Sequence, residues 1–209
     1  MFALVESGSI TSYPKGNRGI KLGDYNYPPA IFTLWTEAER NAIGVYTVEI
    51  DKTNLKSEEW YYNTSITYAF GSGKVTGSYG TATAKAHADA KWTQKEIDDG
   101  DAPSGADTDT VKKEGLKTIL IRQVKKNAES ILNKTDWYVT RKAEKSTAIP
   151  SAITTHRNAV RTKQASMETA ITNASDTAAL ETLYTYVNTA DEGEPIVMER
   201  PLGVLPTLS

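Results

Sequence analysis

The chain has no cysteine in its 209 residues. That excludes a disulfide scaffold and thiolate metal ligands, and it suits synthesis in a reducing cytoplasm. Histidine occurs only as His87 and His156, too far apart in sequence and too poorly accompanied to suggest a zinc-binding pattern. Long apolar runs are missing as well. The longest aliphatic stretch, Ile119-Leu120-Ile121, falls far short of the ~20 residues a bilayer-spanning helix needs. The opening Met1-Phe2-Ala3-Leu4-Val5-Glu6 lacks the positive flank and apolar length of a secretory signal. Neither sign of charge dominates: 24 Lys and Arg against 26 Asp and Glu leave a net of −2, so no global field draws the chain to nucleic acid or an anionic membrane. G-x-S-x-G, P-loop and dinucleotide glycine patterns do not occur, and Gly71-x-Gly73 is a turn signal only. The expectation is a protein that is not an enzyme, takes no cofactor or metal, binds no nucleic acid and does not insert into a membrane.

What is present suffices for a core, since 39% of the residues are hydrophobic. Composition changes along the chain. Residues 1–92 are rich in Tyr, Thr, Gly and Trp, whereas residues 111–190 are rich in Ala, Lys, Glu and Leu with almost no glycine. The predicted fold class is therefore α+β: an N-terminal antiparallel β domain with one short helix, then a three-helix antiparallel bundle. Residues 93–110, around Asp98-Asp99-Gly100-Asp101, have the small, polar make-up of a linker. A calcium reading of that acidic stretch fails because the EF-hand glycine and the final bidentate Glu are absent. Residues 191–209 carry Pro195, Pro201 and Pro206 among apolar residues, so an extended C-terminal arm is expected there. Its Ile196, Val197 and Leu202 would grip the arm's own domain or a neighbour.

In the β half, Phe2–Val5 and Ile10–Tyr13 flank Ser7-Gly8, as in a hairpin. Thr36 with Glu39 forms a capping box for a helix that Gly44 ends, and Val45–Ile50 reads as strand. Trp60, Tyr62, Thr64, Ile66, Tyr68 and Phe70 alternate onto one strand face, either packing on the sheet or forming an exposed docking or sugar-stacking row. The next strand runs from Lys74 toward His87. Its small residues, Gly77, Gly80, Ala82, Ala84, Ala86 and Ala88, cannot fill a core, so something must approach closely, with a neighbouring subunit as one candidate.

In the α half, Leu116, Leu120, Val124, Ala128 and Ile131, joined by Ile119 and Leu132, follow helical spacing. Thr135 or Asp136 caps a short turn that carries Trp137 and Val139 inward, with Trp137 read as a core wedge or else as a ligand platform. After Pro150, Ile153, Val160, Met167 and Ala174 recur every seven residues in a long helix. Ser175-Asp176 caps a third helix with Leu180, Leu183, Tyr184 and Val187 as its buried stripe. Arg141, Arg157 and Arg161 form either an ion-pair network with Glu144 and Glu168 or a basic site. Ten Lys or Arg face four Asp or Glu between 112 and 145, while residues 89–109 hold seven acids and two bases. The two blocks could attract each other or an outside partner.

The run Ile131-Leu132 through Thr135-Asp136-Trp137, then Ile149-Pro150 and Arg157-x-x-x-Arg161, resembles a helical module of bacteriophage tail proteins, tail-fibre proteins and their assembly chaperones. The match extends from Glu114-Gly115-Leu116-Lys117 to Ala179-Leu180-Glu181-x-Leu183. The N-terminal ribbon with Tyr13-Pro14, and Leu34-Trp35 through Ile43-Gly44-Val45-Tyr46, resembles the start of fibre and fibre-assembly families. The resemblance implies a structural virion protein of the tail, a tail fibre or a baseplate and fibre adaptor, made in the host cytoplasm. The alternatives are a fibre-assembly chaperone and a carbohydrate-binding host-recognition module. Implied partners are other tail or baseplate proteins, further copies of the chain (a trimer among the options) and a host surface glycan. The implied contact residues are Trp137, Arg141, Arg157, Arg161, Trp60, Tyr62, Ile196, Val197 and Leu202, with no catalytic residue.

Overall fold

A computed structural model describes residues 1–208 as a mixed α+β protein with seven helices among those residues. The chain forms two compact units, Met1–Thr83 and a second beginning at Ala84.

The first unit is built on strands β1 (Phe2–Glu6), β2 (Ser9–Ser12), β3 (Ile20–Leu22), β4 (Tyr25–Tyr27), β5 (Val45–Asp51), β6 (Tyr61–Tyr62), β7 (Ile66–Gly71) and β8 (Lys74–Tyr79). Five of them make one sheet in the order β2-β1-β5-β8-β7. The expected N-terminal hairpin is present, with Val5 opposite Ile10 and Glu6 opposite Ser9. The expected all-antiparallel sheet is corrected, because β5 and β8 run parallel, Ile50 beside Gly77. The packing of β8 depends on Gly77. A Cβ there would stand 2.7 Å from the Tyr68 ring and 2.9 Å from Ile50 Cδ1, so the glycine strand fits between β5 and β7, where both large side chains cover it. The chain reaches β7 by a crossover anchored by Trp60, which is only 4% exposed. Edge strands β2 and β7 approach until the Tyr13 and Tyr68 rings lie 5.2 Å apart, which leaves the sheet nearly closed.

Strand β1 is buried on both faces, at Ala3, Leu4 and Val5. Ala3 and Val5 join Val48 and Val75 with Tyr46, Tyr68 and Phe70 on one side. Leu4 joins Ile31, Phe32 and Val45, with Phe2, Tyr27, Trp35 and Ile43, on the other. Two short helices lie on that second side, where one was expected: α1 (Ile31–Leu34) and α2 (Glu37–Ala42). Helix α2 opens on the full Thr36/Glu39 capping box and ends before Gly44, whose φ of 80° is the left-handed stop.

The second unit begins with β9 (Thr83–Ala84) at the unit boundary, then β10 (Ala90–Lys91), helix α3 (Gln94–Asp98) and β11 (Val111–Lys113). Residues 93–110 are thus the loop of the β10–β11 hairpin inside this unit rather than a joint between units. Opposite charges hold the loop: Lys112 binds Glu96, and Lys91 binds Asp109 at 2.7 Å. Thr93 and Glu96 form a second capping box, and Lys112, then the Thr93 amide and hydroxyl, pull the Glu96 carboxyl down to about 2.

Helices α4 (Leu116–Asn133), α5 (Asp136–Lys145), α6 (Ser151–Asn173) and α7 (Thr177–Tyr184) follow. Four helices replace the expected three, since the turn after Thr135 is a helix in its own right. Helix α4 has Gly115 at its N-cap and no side-chain cap, so its first N–H groups need other acceptors. The alanine-bearing segment before β10 supplies them: Leu116 and Lys117 donate to the carbonyls of Ala86 and His87 at 2.9 and 3.0 Å. The Asp89 carboxylate accepts from Gly115 N–H at 2.7 Å and from the Thr118 hydroxyl at 2.8 Å. The chain's own helix thus approaches the backbone of this segment, while the side chains of Ala84, Ala86 and Ala88 are exposed, against the expectation of a close neighbour over the small residues. A Cβ on Gly115 would collide with the Ala88 backbone. The same segment anchors α7, because buried Thr177 donates to the Lys85 carbonyl at 2.6 Å.

Helix α6 carries the main stripe, with the heptad residues Ile153, Val160, Met167 and Ala174 all buried, together with Ile171. Asp176 caps α7 by accepting from Ala179 N–H at 2.8 Å. Helix α7 ends at Tyr184, so Val187 lies outside it and is 46% exposed, against the expected stripe. The arm forms a small hairpin, β12 (Val187–Asn188) with β13 (Met198–Glu199), and returns to its own unit. Leu202 is 2% exposed and its N–H donates to the Leu183 carbonyl at 3.0 Å.

Candidate functional site

The Thr135-Asp136-Trp137 joint gathers three of the contact residues singled out from the sequence, Trp137, Arg141 and Arg157. Helix α4 ends with unpaired carbonyls, as every helix does. Arg157, buried at 7% exposure on α6, answers one of them: its Nη1 donates to the Leu132 carbonyl at 2.9 Å and to Thr135 Oγ1 at 2.7 Å. The same guanidinium pairs with Asp136 at 2.8 Å. Thr135 in turn donates its hydroxyl to the Leu132 carbonyl at 2.9 Å. That hydroxyl is committed to this cluster, so Thr135 does not cap α5 through its side chain as expected. The partner of Arg157 is Asp136, not Glu144 or Glu168; Glu168 pairs instead with Lys125.

Trp137 leaves this joint outward. It is 52% exposed, and Val139 is 43% exposed, which corrects the expected inward wedge. The reason is length: the buried stripe of α6 already fills the space beside α4, and ten residues of α5 do not return across it. The Trp137 ring stacks on Tyr138 with centroids 3.8 Å apart. The Arg141 guanidinium lies 4.8 Å from the Trp137 centroid and 5.2 Å from that of Tyr138, within cation–π range. Arg161, one turn beyond Arg157, is exposed and does not join the joint.

Two concavities flank the joint. One of about 310 Å³ is lined by Ile131, Lys134, Thr135, His156, Thr207 and Leu208. The other, about 390 Å³ and shallower, is lined by Lys125, Glu129, Leu132, Asp136, Arg157 and Gln164. His156 is buried while His87 is only half-buried, and among the described residues no three His, Asp or Glu side chains gather to hold a metal ion. No helix among the described residues is long and apolar enough to cross a membrane.

The remaining contact residues separate. Trp60 is buried and Tyr62 is 55% exposed, because Asn63 breaks the strand by bonding both ways to the Lys56 backbone at 2.9 and 2.8 Å. The aromatic row is therefore interrupted, and only Ile66, Tyr68 and Phe70 keep the alternation, half-buried against the sheet core. Ile196 and Val197 on the arm are 75% and 47% exposed, in contrast with Leu202. Near them Arg200 lies 5.4 Å over the Tyr184 ring and donates Nε–H to the Gly203 carbonyl at 2.9 Å. Sequence reasoning missed Thr135 as a buried hydroxyl and Asp89 as the anchor of α4; the absence of a capping side chain at Gly115 is the signal that points to the second.

No protein-family model, no curated protein and no solved structure matches the chain.

Proposed function

We propose that the protein is a structural component of a bacteriophage tail, a fibre subunit or a baseplate and fibre adaptor that works by adhesion and performs no chemical step. The resemblance of the Thr135-Asp136-Trp137 and Arg157-x-x-x-Arg161 run to tail modules supports this reading. The observation that carries it is how the joint is made. Arg157 is consumed internally, holding the end of α4 and the start of α5, while Trp137, Tyr138 and Arg141 face outward on a braced helix. Stacked aromatics and arginine are the side chains that dominate protein interfaces. The arm adds a second apolar surface, with Ile196, Val197, Met198 and Val204 all exposed. Further copies of the chain and other tail proteins are the partners this surface suits. The broken aromatic row, with Trp60 buried, gives a sugar-stacking platform little support.

The deciding experiment is quantitative mass spectrometry of purified particles. The chain is expected at a fixed copy number per virion. Its absence from particles, combined with recovery on unassembled fibre protein from infected cells, would overturn the component reading in favour of the assembly chaperone.

A further inference from the structure

Helix α5 buries none of its ten residues. Isolated helices shorter than ~12–15 residues are marginal in water, so a helix of this length normally depends on a packed face. Here the ends are secured, by the Arg157–Asp136 pair at the start and by Ser146 in a left-handed cap (φ 55°) at the finish. The face between them is open. Trp137, Arg141 and Lys145 follow one another at i, i+4 spacing, with Tyr138 and Lys142 alongside. The Nε of Arg141 is buried without a hydrogen-bond partner, and none of Arg141, Lys142 and Lys145 makes an ion pair among the described residues. Asp136 is engaged by Arg157, so Glu144 alone stands against three cations. Lys142 and Lys145 also suit the negative end of the helix dipole, but that effect accounts for neither Arg141 nor the exposed aromatics.

The complementary surface is present in the same chain. Residues 98–109 of the β10–β11 loop carry Asp98, Asp99, Asp101, Asp107 and Asp109 without a single base. Lys95 and Lys91 neutralise Asp99 and Asp109, whereas Asp98 bonds only to Gln94 and Asp107 only within its own turn. Asp101 is exposed and has no side-chain partner. The capping box of α3 and the Lys112–Glu96 pair brace the loop beside these acids. Pro103, exposed next to them, offers a flat apolar ring for an indole to cover.

We infer that α5 is a self-association surface, and that its Trp137–Arg141–Lys145 face takes the acidic loop 98–109 of a second copy. The two patches differ, so the contact is heterologous: each copy has one free α5 and one free loop. Copies add head to tail, either closing into a ring or continuing as a filament. This inference does not rest on the tail assignment. It is tested on the isolated chain, whereas the tail assignment is tested on particles.

Sedimentation velocity on the full chain provides the test. The native chain is expected to self-associate at low salt and to dissociate as salt rises, because exposed charges are screened. Arg141→Glu is expected to weaken association about 100-fold by placing like charges together. The loop variant Asp98→Asn, Asp99→Asn, Asp101→Asn is expected to weaken it similarly. All four positions lie on exposed or half-buried side chains, and circular dichroism checks that folding is retained. Mixing the two variants is the sharpest arm: each keeps the patch the other has lost, so a heterodimer should form and grow no further. A native chain that stays monomeric at low salt overturns the inference. So does a loop variant that associates like the native chain while Arg141→Glu does not, since the acidic partner of α5 would then lie elsewhere.

Discussion

Helices α5 and α6 are consecutive in the chain and share the Arg157–Asp136 pair, yet they make opposite use of their side chains. Helix α6 has no aromatic residue and a seam interrupted by His156, Arg157 and Gln164, yet it contributes six buried residues to its unit. Helix α5 carries Trp137, Tyr138 and Val139 and buries nothing. Burial here follows repetition over length rather than the size of any one side chain. Six turns of α6 return an apolar residue to the same line every seven positions, and each return packs beside α4. In under three turns α5 brings its large residues together on one patch, and the space they would fill is already taken.

The comparison can be broken by substitution. Ile171→Ala in α6 is expected to destabilise the α-helical unit by about 3 kcal/mol, through lost transfer energy and the cavity left behind, read by urea unfolding. A cost under about 1 kcal/mol would mean that the site is not packed as described. Arg157→Met comes next. Breaking a fully buried pair costs about 3–5 kcal/mol, but Asp136 is 51% exposed and rehydrates, so a loss of about 2 kcal/mol is expected. Hydrogen exchange should show the gain in mobility concentrated at residues 132–145, and an even gain throughout the unit would contradict the joint.

Asp176→Ala removes the α7 cap and should cost about 1 kcal/mol in the same unfolding assay, with no change if solvent replaces the cap fully. Acid provides a milder probe. Asp89 is held below its ordinary value by the Gly115 N–H and then the Thr118 hydroxyl, and Glu96 lies at about 2 against 4.5. Both folded values are depressed, so the stability they add is complete above the unfolded value and is lost as pH falls through the folded one. Stability should thus decline between pH 4.5 and about 2, and Asp89→Asn should flatten that decline. An unchanged slope would show that Asp89 does not anchor α4. The smallest effect is expected from Trp137→Ala, within about 0.5 kcal/mol, since surface substitutions away from packed features rarely exceed that. A loss of several kcal/mol would restore the inward wedge.

What could be read in advance was what repeats or is local. The α6 heptad, the α4 stripe, the Thr36/Glu39 box with its Gly44 stop and the Asp176 cap each lie within a few turns of chain, and each appears where its residues place it, except that Ile119 of the α4 stripe is 43% exposed. What escaped depends on distant partners. The parallel β5–β8 pairing joins strands separated by residues 52–73 of the chain, with Ile50 and Tyr68 covering Gly77 from the two neighbouring strands. The acidic loop reads as a linker until Lys91 and Lys112 are seen across the hairpin. At the joint, Arg157 was visible as a structural cation, but its true partners lie 21 to 25 positions away, and the outward turn of Trp137 follows from them.

Leu202 is a buried peg on an otherwise open arm, joined to the rest of the chain by the fully exposed stretch 191–195. A protease that nicks this stretch would leave the following piece in place, held by the β12–β13 pairing and by the peg at Leu183. The cut protein would behave as a two-piece reconstitution system. A synthetic peptide covering the last fragment, with Leu202 intact, is expected to exchange into the vacated slot, and the same peptide with Leu202→Ala is expected to fail.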